Sequence, residues 1–192
     1  MKPILLIGAG GHCKACIDVI EQIGEWHIAG IIDRKDSGVN EVLGYPVIGC
    51  DDDLAELRKQ YDYAFVTVGQ IRSAELKIKL FNQIKFLGFK QPGLVSPLAY
   101  VSKHATLGEG TIVMHYAMVN AAAKVGDNCI VNSKALIEHD AVIENHCHIS
   151  TGATINGGVV VGEQSFIGSH ATTKQTITIS PKSFIKAGSV VK

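Results

Sequence analysis

Three of the chain's eight histidines fall within residues 139–148, in the stretch IEHDAVIENHCHIS (137–150). His139 stands between Glu138 and Asp140, and His146 and His148 follow. An imidazole titrates near pH ~6.5, so a neutral ring can accept a proton from a nucleophile at physiological pH. A carboxylate beside it can orient the ring and stabilise the imidazolium. His139 with Asp140, or with Glu138, is therefore a candidate general base. The same rings could hold a metal ion or lie on a solvated surface, and His146 is read as a surface residue.

A second group of residues is suited to binding. Gly8-Ala9-Gly10-Gly11-His12 ends an apolar run, PILLI, and opens a segment with helical spacing. Glycines let a backbone approach a phosphate, and the free N–H groups and dipole of a helix start favour an anion. The third glycine of a dinucleotide fingerprint is missing, because Cys13 stands there, so NAD is disfavoured. Asp33 ends the run IID, and Gly69 follows FVTV, at the carboxyl edge of a strand where open α/β sheets take ligands. The Cys13-Lys14-Ala15-Cys16 spacing lacks a thioredoxin-like context and is read as structural.

Two kinds of sequence surround these groups. Residues 1–92 alternate strand-like and helix-like segments, which predicts a Rossmann-like α/β domain. The helices are expected over CKACIDVIEQIG, DDDLAELRKQY and SAELKIKLFNQIKFLGF. Residues 93–192 follow a six-residue repeat. Every sixth residue from Val95 to Val191 is aliphatic except Thr173, and the residue four further on is nearly always small, as at Ala99, Ala105, Ala117, Ala135 and Ala153. This pattern predicts a parallel β-helix. Each hexad is a short strand and a corner, the aliphatic side chain fills a narrow interior, and three hexads close a triangular coil that buries its faces on its neighbours. Gly, Asn and Asp at corners suit a positive φ. Thr173 is read as a local irregularity late in the array.

Composition sets the remaining bounds. Lys plus Arg and Asp plus Glu are 18 each in 192 residues, which argues against a general nucleic-acid or anionic-membrane surface. Aromatics are 6% and hydrophobic residues 46%, so the core is expected to be aliphatic. No apolar run is long enough to span a bilayer, and the first residues lack a signal peptide's apolar region. The five cysteines are irregularly spaced in apolar settings, which fits a reducing cytoplasm.

The hexad array resembles the left-handed β-helix acyltransferases. With LLIGAGGHCKACIDVI in front of it and IEHDAVI within it, the whole chain resembles the NeuD/PglD-type sugar acetyltransferases of bacterial glycan synthesis. The resemblance implies a left-handed helix, a homotrimer and acetyl-CoA as cosubstrate. It implies N-acetylation of a UDP- or dTDP-linked 4-amino-4,6-dideoxy sugar, or, as the alternative, O-acetylation of sialic acid. The phosphate-binding turn favours the nucleotide-linked acceptor. It places the base on His139 and its orienting carboxylate on Asp140, with Asn132 near the sugar. Gly10, Gly11 and His12 would hold the nucleotide-sugar, Asp33 its uracil or ribose, and Gly69 would lie at the same edge. His148, Gly157, Ser169 and Ala187 would contact acetyl-CoA, the last three mostly through backbone groups. The chain departs from the family pattern at Cys13, at Ser96-Pro97-Leu98-Ala99 in place of H-P-S-A, and in reaching Lys192 without a G-N-P-A-K-type tail. A metal hydratase of the γ-carbonic anhydrase kind is disfavoured, because no two histidines have its H-x4-H spacing. A non-catalytic β-helix scaffold or sugar-binding module is the remaining alternative. No metal is expected.

Overall fold

The computed structural model describes residues 1–192. It forms two compact units: residues 1–69 with 75–92, and residues 93–192 with the short segment 70–74.

The first unit is a five-stranded sheet flanked by helices. Its elements are β1 (Lys2–Ile7), α1 (Gly11–Ile23), β2 (Trp26–Ile32), β3 (Glu41–Val42), β4 (Tyr45–Gly49), α2 (Leu54–Leu57), β5 (Tyr63–Val66) and α3 (Glu75–Phe86). The strand order is β3-β4-β2-β1-β5. β4, β2, β1 and β5 run parallel, and β3 pairs antiparallel with β4. Ile4 to Ile7 are all buried, as the unbroken apolar run of a central parallel strand requires. α1 buries Cys13, Cys16, Ile17, Val19 and Ile20 along one stripe. It ends at Gly24, whose φ of 71° allows its N–H to close on the Ile20 carbonyl at 3.3 Å. From β1 the chain crosses to β2 on one side, while β5 pairs with β1 on the other. This reversal opens a crevice at the carboxyl ends of β1 and β5. The acidic helix expected from residue 51 is shorter than its pattern: a 3-10 turn over Asp51–Asp53 leads into four residues of α2. The Asp53 carboxylate folds back to accept the Cys50 N–H at 2.8 Å, which holds the first turn tight and keeps its pKa below the usual value.

The second unit is a parallel β-helix. Its seventeen strands, β6 (Leu94–Val95) to β22 (Val190–Val191), are two residues each and form three sheets. Each strand pairs with the strand three further on: Met118 stands beside Leu136, and Leu136 beside Thr154. The interior is a column of aliphatic and small side chains, from Val113 and Ala117 to Ile167 and Ala171. The residue after nearly every aliphatic donates its N–H to the carbonyl one coil on, as Asn120 does to Ile137 and Glu138 to Ile155, both at 2.9 Å.

Every sixth residue from Gly110 to Gly188 has a positive φ. Gly, Asn128 and Asp140 occupy some of these corners, but so do Tyr116, Ala122, Lys134, His146 and Gln164. At most of them the strained residue's N–H bonds a carbonyl one coil back, as His146 does to Asp127 at 2.8 Å, which offsets the left-handed penalty of roughly 1 kcal/mol. Stacking, more than residue identity, sets the corners.

Candidate active site

His139 and Asp140 form one corner between β13 (Leu136–Ile137) and β14 (Val142–Ile143). The corner conformation, with Asp140 at φ 59°, brings Asp140 Oδ2 to 2.8 Å from His139 Nδ1. An ionised carboxylate only accepts, so Nδ1 donates to it and Nε2 is the ring nitrogen turned away from Asp140. Both side chains are open to solvent. Glu138 does not touch the ring. Its Oε2 accepts the His139 N–H at 3.2 Å and the Asn120 side-chain amide at 2.8 Å, which ties the corner to the coil before it.

Gly157 lies one coil above. A Cβ there would stand 2.8 Å from both Cε1 and Nε2 of His139, so only glycine lets the ring lie flat on this corner. Gly158 closes the stack by donating its N–H to the His139 carbonyl at 3.0 Å. The Gly157 N–H itself bonds nothing in the chain. The Cε1–Nε2 side of the ring thus packs against Gly157, a residue whose N–H has no partner in the chain.

A second cluster occupies the edge between β12 (Ile130–Val131) and β13. His148 is buried, and its Nδ1 lies 2.5 Å from the Gln70 carbonyl oxygen. That nitrogen must donate, so Nε2 accepts from Asn132 Nδ2 at 3.1 Å. Phe166 packs edge-on against the ring at 5.2 Å. Both ring nitrogens are thus engaged by the chain. Asn132 Oδ1 also accepts the Ser133 N–H at 2.8 Å. Ser169 and Ala187 stand on this same edge in successive coils, joined by the Gly188 N–H to the Ser169 carbonyl at 2.8 Å. The structure thus groups His139, Asp140 and Gly157 on one edge of the prism, and Asn132, Ser169 and Ala187 on another. His146 pairs with Asn128 at 3.0 Å and joins neither group. No three His, Cys, Asp or Glu side chains converge in a way that could hold a metal ion.

In the α/β unit the Gly8–His12 turn lies at the end of β1. Gly8 has φ 110°, a conformation that requires glycine, and its carbonyl accepts the Thr67 hydroxyl at 2.5 Å. Gly10 caps α1 without a side-chain hydrogen bond, and nothing lies within 4 Å of where a Cβ would stand on Gly10 or Gly11. The start of α1 is thus uncrowded around Gly10 and Gly11, as the close approach of an anion to a helix start requires. Gly69 approaches from the next strand, and a Cβ on it would touch His12 Cβ at 3.4 Å. Asp33 follows Ile32, whose carbonyl accepts the Gly8 N–H at 2.8 Å, and it lines a cleft of about 420 Å³ with Arg34, Lys35, Asn40 and Asp53. Cys13 and Cys16 lie on the buried face of α1, and burial pushes both thiols up, away from reactive thiolate.

Residues 3–84 match the PglD N-terminal domain family, and residues 104–139 and 140–175 match the bacterial transferase hexapeptide repeat family. The acetyltransferase domain of PglB from Neisseria gonorrhoeae FA1090 is 32% identical and superposes with a TM-score of 0.91 over 100% of this chain and 92% of that one. The same domain has been solved in complex with acetyl coenzyme A. PerB from Caulobacter crescentus, solved with CoA and GDP-perosamine, is 34% identical, with a TM-score of 0.92 over 100% of this chain and 89% of that one. The chain belongs to the PglD-type sugar acetyltransferases. No curated protein sequence matches it. The enzyme is an acetyl-CoA-dependent sugar acetyltransferase of the hexapeptide-repeat superfamily. No helix of this acetyltransferase is long and apolar enough to cross a membrane.

Some of its site contacts had no signal in the sequence. The Gln70 carbonyl meets His148 across 78 positions, from a segment with no motif of its own. The hydrogen bond from Asn120 to Glu138 depends on the 18-residue stacking of coils, so its partner could be found only by counting one coil forward.

Proposed function

We propose that this acetyltransferase N-acetylates the amino group of a nucleotide-linked 4-amino-4,6-dideoxy sugar, carried on UDP or dTDP, in bacterial glycan synthesis. The α/β unit takes the nucleotide-sugar diphosphate at Gly10, Gly11 and His12, with Asp33 toward the base or ribose and Gly69 lining the same edge. The β-helix carries out the transfer. One observation carries this reading: His139 turns Nδ1 to Asp140 at 2.8 Å and packs its Nε2 side on Gly157, a residue whose N–H is unused in the chain.

The sugar amine attacks the thioester carbonyl carbon and forms the C–N bond. His139 Nε2 removes the amine proton, and Asp140 stabilises the imidazolium. The Gly157 N–H donates to the oxygen that becomes an oxyanion. The C–S bond then breaks, and the imidazolium returns its proton to the sulfur, giving free CoA. Asn132 stands toward the sugar, with its amide held by His148. Ser169 and Ala187 line the acetyl-CoA edge.

The two edges are separate within one chain, so a second copy is needed to bring the acetyl-CoA edge against His139. A homotrimer provides this arrangement. The outward ladder Tyr100, Met118, Leu136, Thr154, Thr172 and Val190 on one sheet carries no charge, as a buried subunit face would require. Perosamine is the acceptor with which PerB was solved, and a related amino sugar is the acceptor class proposed for this enzyme.

The test is product analysis with acetyl-CoA and UDP-, dTDP- and GDP-linked amino sugars, alongside sialic acid. An alkali-stable amide on the amino sugar supports the reading. An alkali-labile ester on sialic acid replaces it with O-acetylation.

A further inference from the structure

Thr173 is the one break in the aliphatic series, and the structure shows what the break does. Its side chain is buried at 1% exposure, inside the column where every other coil places Val, Ile or Leu. Elsewhere the residue after the aliphatic bonds the backbone carbonyl one coil on: Asn132 N–H to the Ile149 carbonyl at 2.9 Å, and Lys174 N–H to the Val191 carbonyl at 2.7 Å. Asn156 breaks this rule. Its N–H goes to the Thr173 hydroxyl at 3.0 Å, and the Thr173 carbonyl accepts the Asn156 side-chain amide at 2.5 Å. One ladder bond has become two, and the second fixes the Asn156 side chain.

That side chain would otherwise be free for another task. Asn120 and Asn132 occupy the same place in their hexads, and each turns its Oδ1 onto the N–H of the next residue at 2.8 Å. Asn156 is drawn toward Thr173 and makes no such bond. The next residue is Gly157, the glycine on which the His139 ring lies, and its N–H is left open.

We infer that Thr173 is a positioning residue for acetyl transfer: by holding Asn156, it keeps the Gly157 N–H free to serve the oxyanion. This rests on the reading of His139 as base and the Gly157 N–H as donor. A valine at 173 offers no hydroxyl. The Asn156 N–H then returns to the carbonyl of residue 173, as in other coils. Its side chain turns to cap the Gly157 N–H and takes away the donor.

T173V restores the hexad pattern and is expected to fold. The expected result is a kcat roughly 10²- to 10³-fold lower, the range set by loss of a preorganised oxyanion donor. KM for both substrates stays within about twofold and Tm is unchanged or higher. T173S keeps the hydroxyl and restores most of kcat. The crystal structure of T173V shows Asn156 Oδ1 within hydrogen-bond reach of the Gly157 N–H. Full kcat in T173V overturns the inference, as does a kcat loss matched by a fall in Tm that T173S does not rescue. H139A separates the two claims. If H139A is inactive while T173V is fully active, the base reading stands and Thr173 has no part in it. If H139A stays active, the base reading falls, and the T173V structure alone still reports whether Thr173 controls Asn156.

Discussion

At Gly10 and Gly11 an added side chain would meet nothing within 4 Å, whereas at Gly157 it would strike the His139 ring at 2.8 Å. The α/β unit leaves side chains out where its backbone already stands clear, which suits the approach of a ligand. The β-helix leaves one out so that a side chain of its own can lie flat. The contrast follows from the architectures. A helix N-terminus has donors already aimed at solvent, so binding needs only clearance. A β-helix spends its backbone groups on neighbouring coils, so reactivity must come from side chains and from the few corner N–H groups left over.

The largest expected effect is on the β-helix side. H139A should lower kcat roughly 10²- to 10⁴-fold, with little change in KM for acetyl-CoA, in a steady-state assay. A loss under about threefold would remove His139 from the chemistry and dissolve the contrast. G157A should follow, with kcat down about 10- to 100-fold as the ring is pushed from its place. Near-normal activity there would mean the ring does not need this contact. In the α/β unit, G11A should behave oppositely: KM for the nucleotide-sugar rises about tenfold while kcat stays within about twofold. Its Tm rises slightly, since alanine is favoured over glycine in a helix by about 0.5–1 kcal/mol. An unchanged KM would mean the open space over Gly11 takes no ligand. The smallest effect concerns the thiols under α1. Burial raises both above the ordinary thiol pKa, so at pH 8 they hold less thiolate than a free cysteine. Native protein should label with iodoacetamide at Cys13 and Cys16 far more slowly than urea-unfolded protein. Equal rates would show that this turn opens readily.

The β-helix was legible because its period is a property of local sequence: a column one side chain wide accepts little but an aliphatic residue every sixth position. His139 with Asp140 was legible for the same reason, since neighbours in sequence share one corner. His148 was only half legible. Its place on the strand marks it as facing away from the column, but the Gln70 carbonyl that engages it comes from far along the chain. Thr173 was visible as an irregularity but not as a contact, because its meaning lies in Asn156 on the previous coil. In the α/β unit the β3–β4 hairpin went unread. Its strands are two and five residues long and turn through Leu43 and Gly44, both with positive φ, and leucine gives no sign of such a turn.

Ala122, Asp140 and Gly158 have φ of 60°, 59° and 66°. The backbone thus offers the same pose three times along one edge, and only the middle one carries the proposed base. Successive poses are separated by the spacing of paired strands, about 4.8 Å. The fold is therefore a ruler with coarse divisions. It can move its base by a whole division, by exchanging residues between coils, but not by a fraction of one. Acceptors that differ by a single hydroxyl or methyl group differ by much less than a division. On the proposed reading, discrimination among them falls to contacts outside this corner.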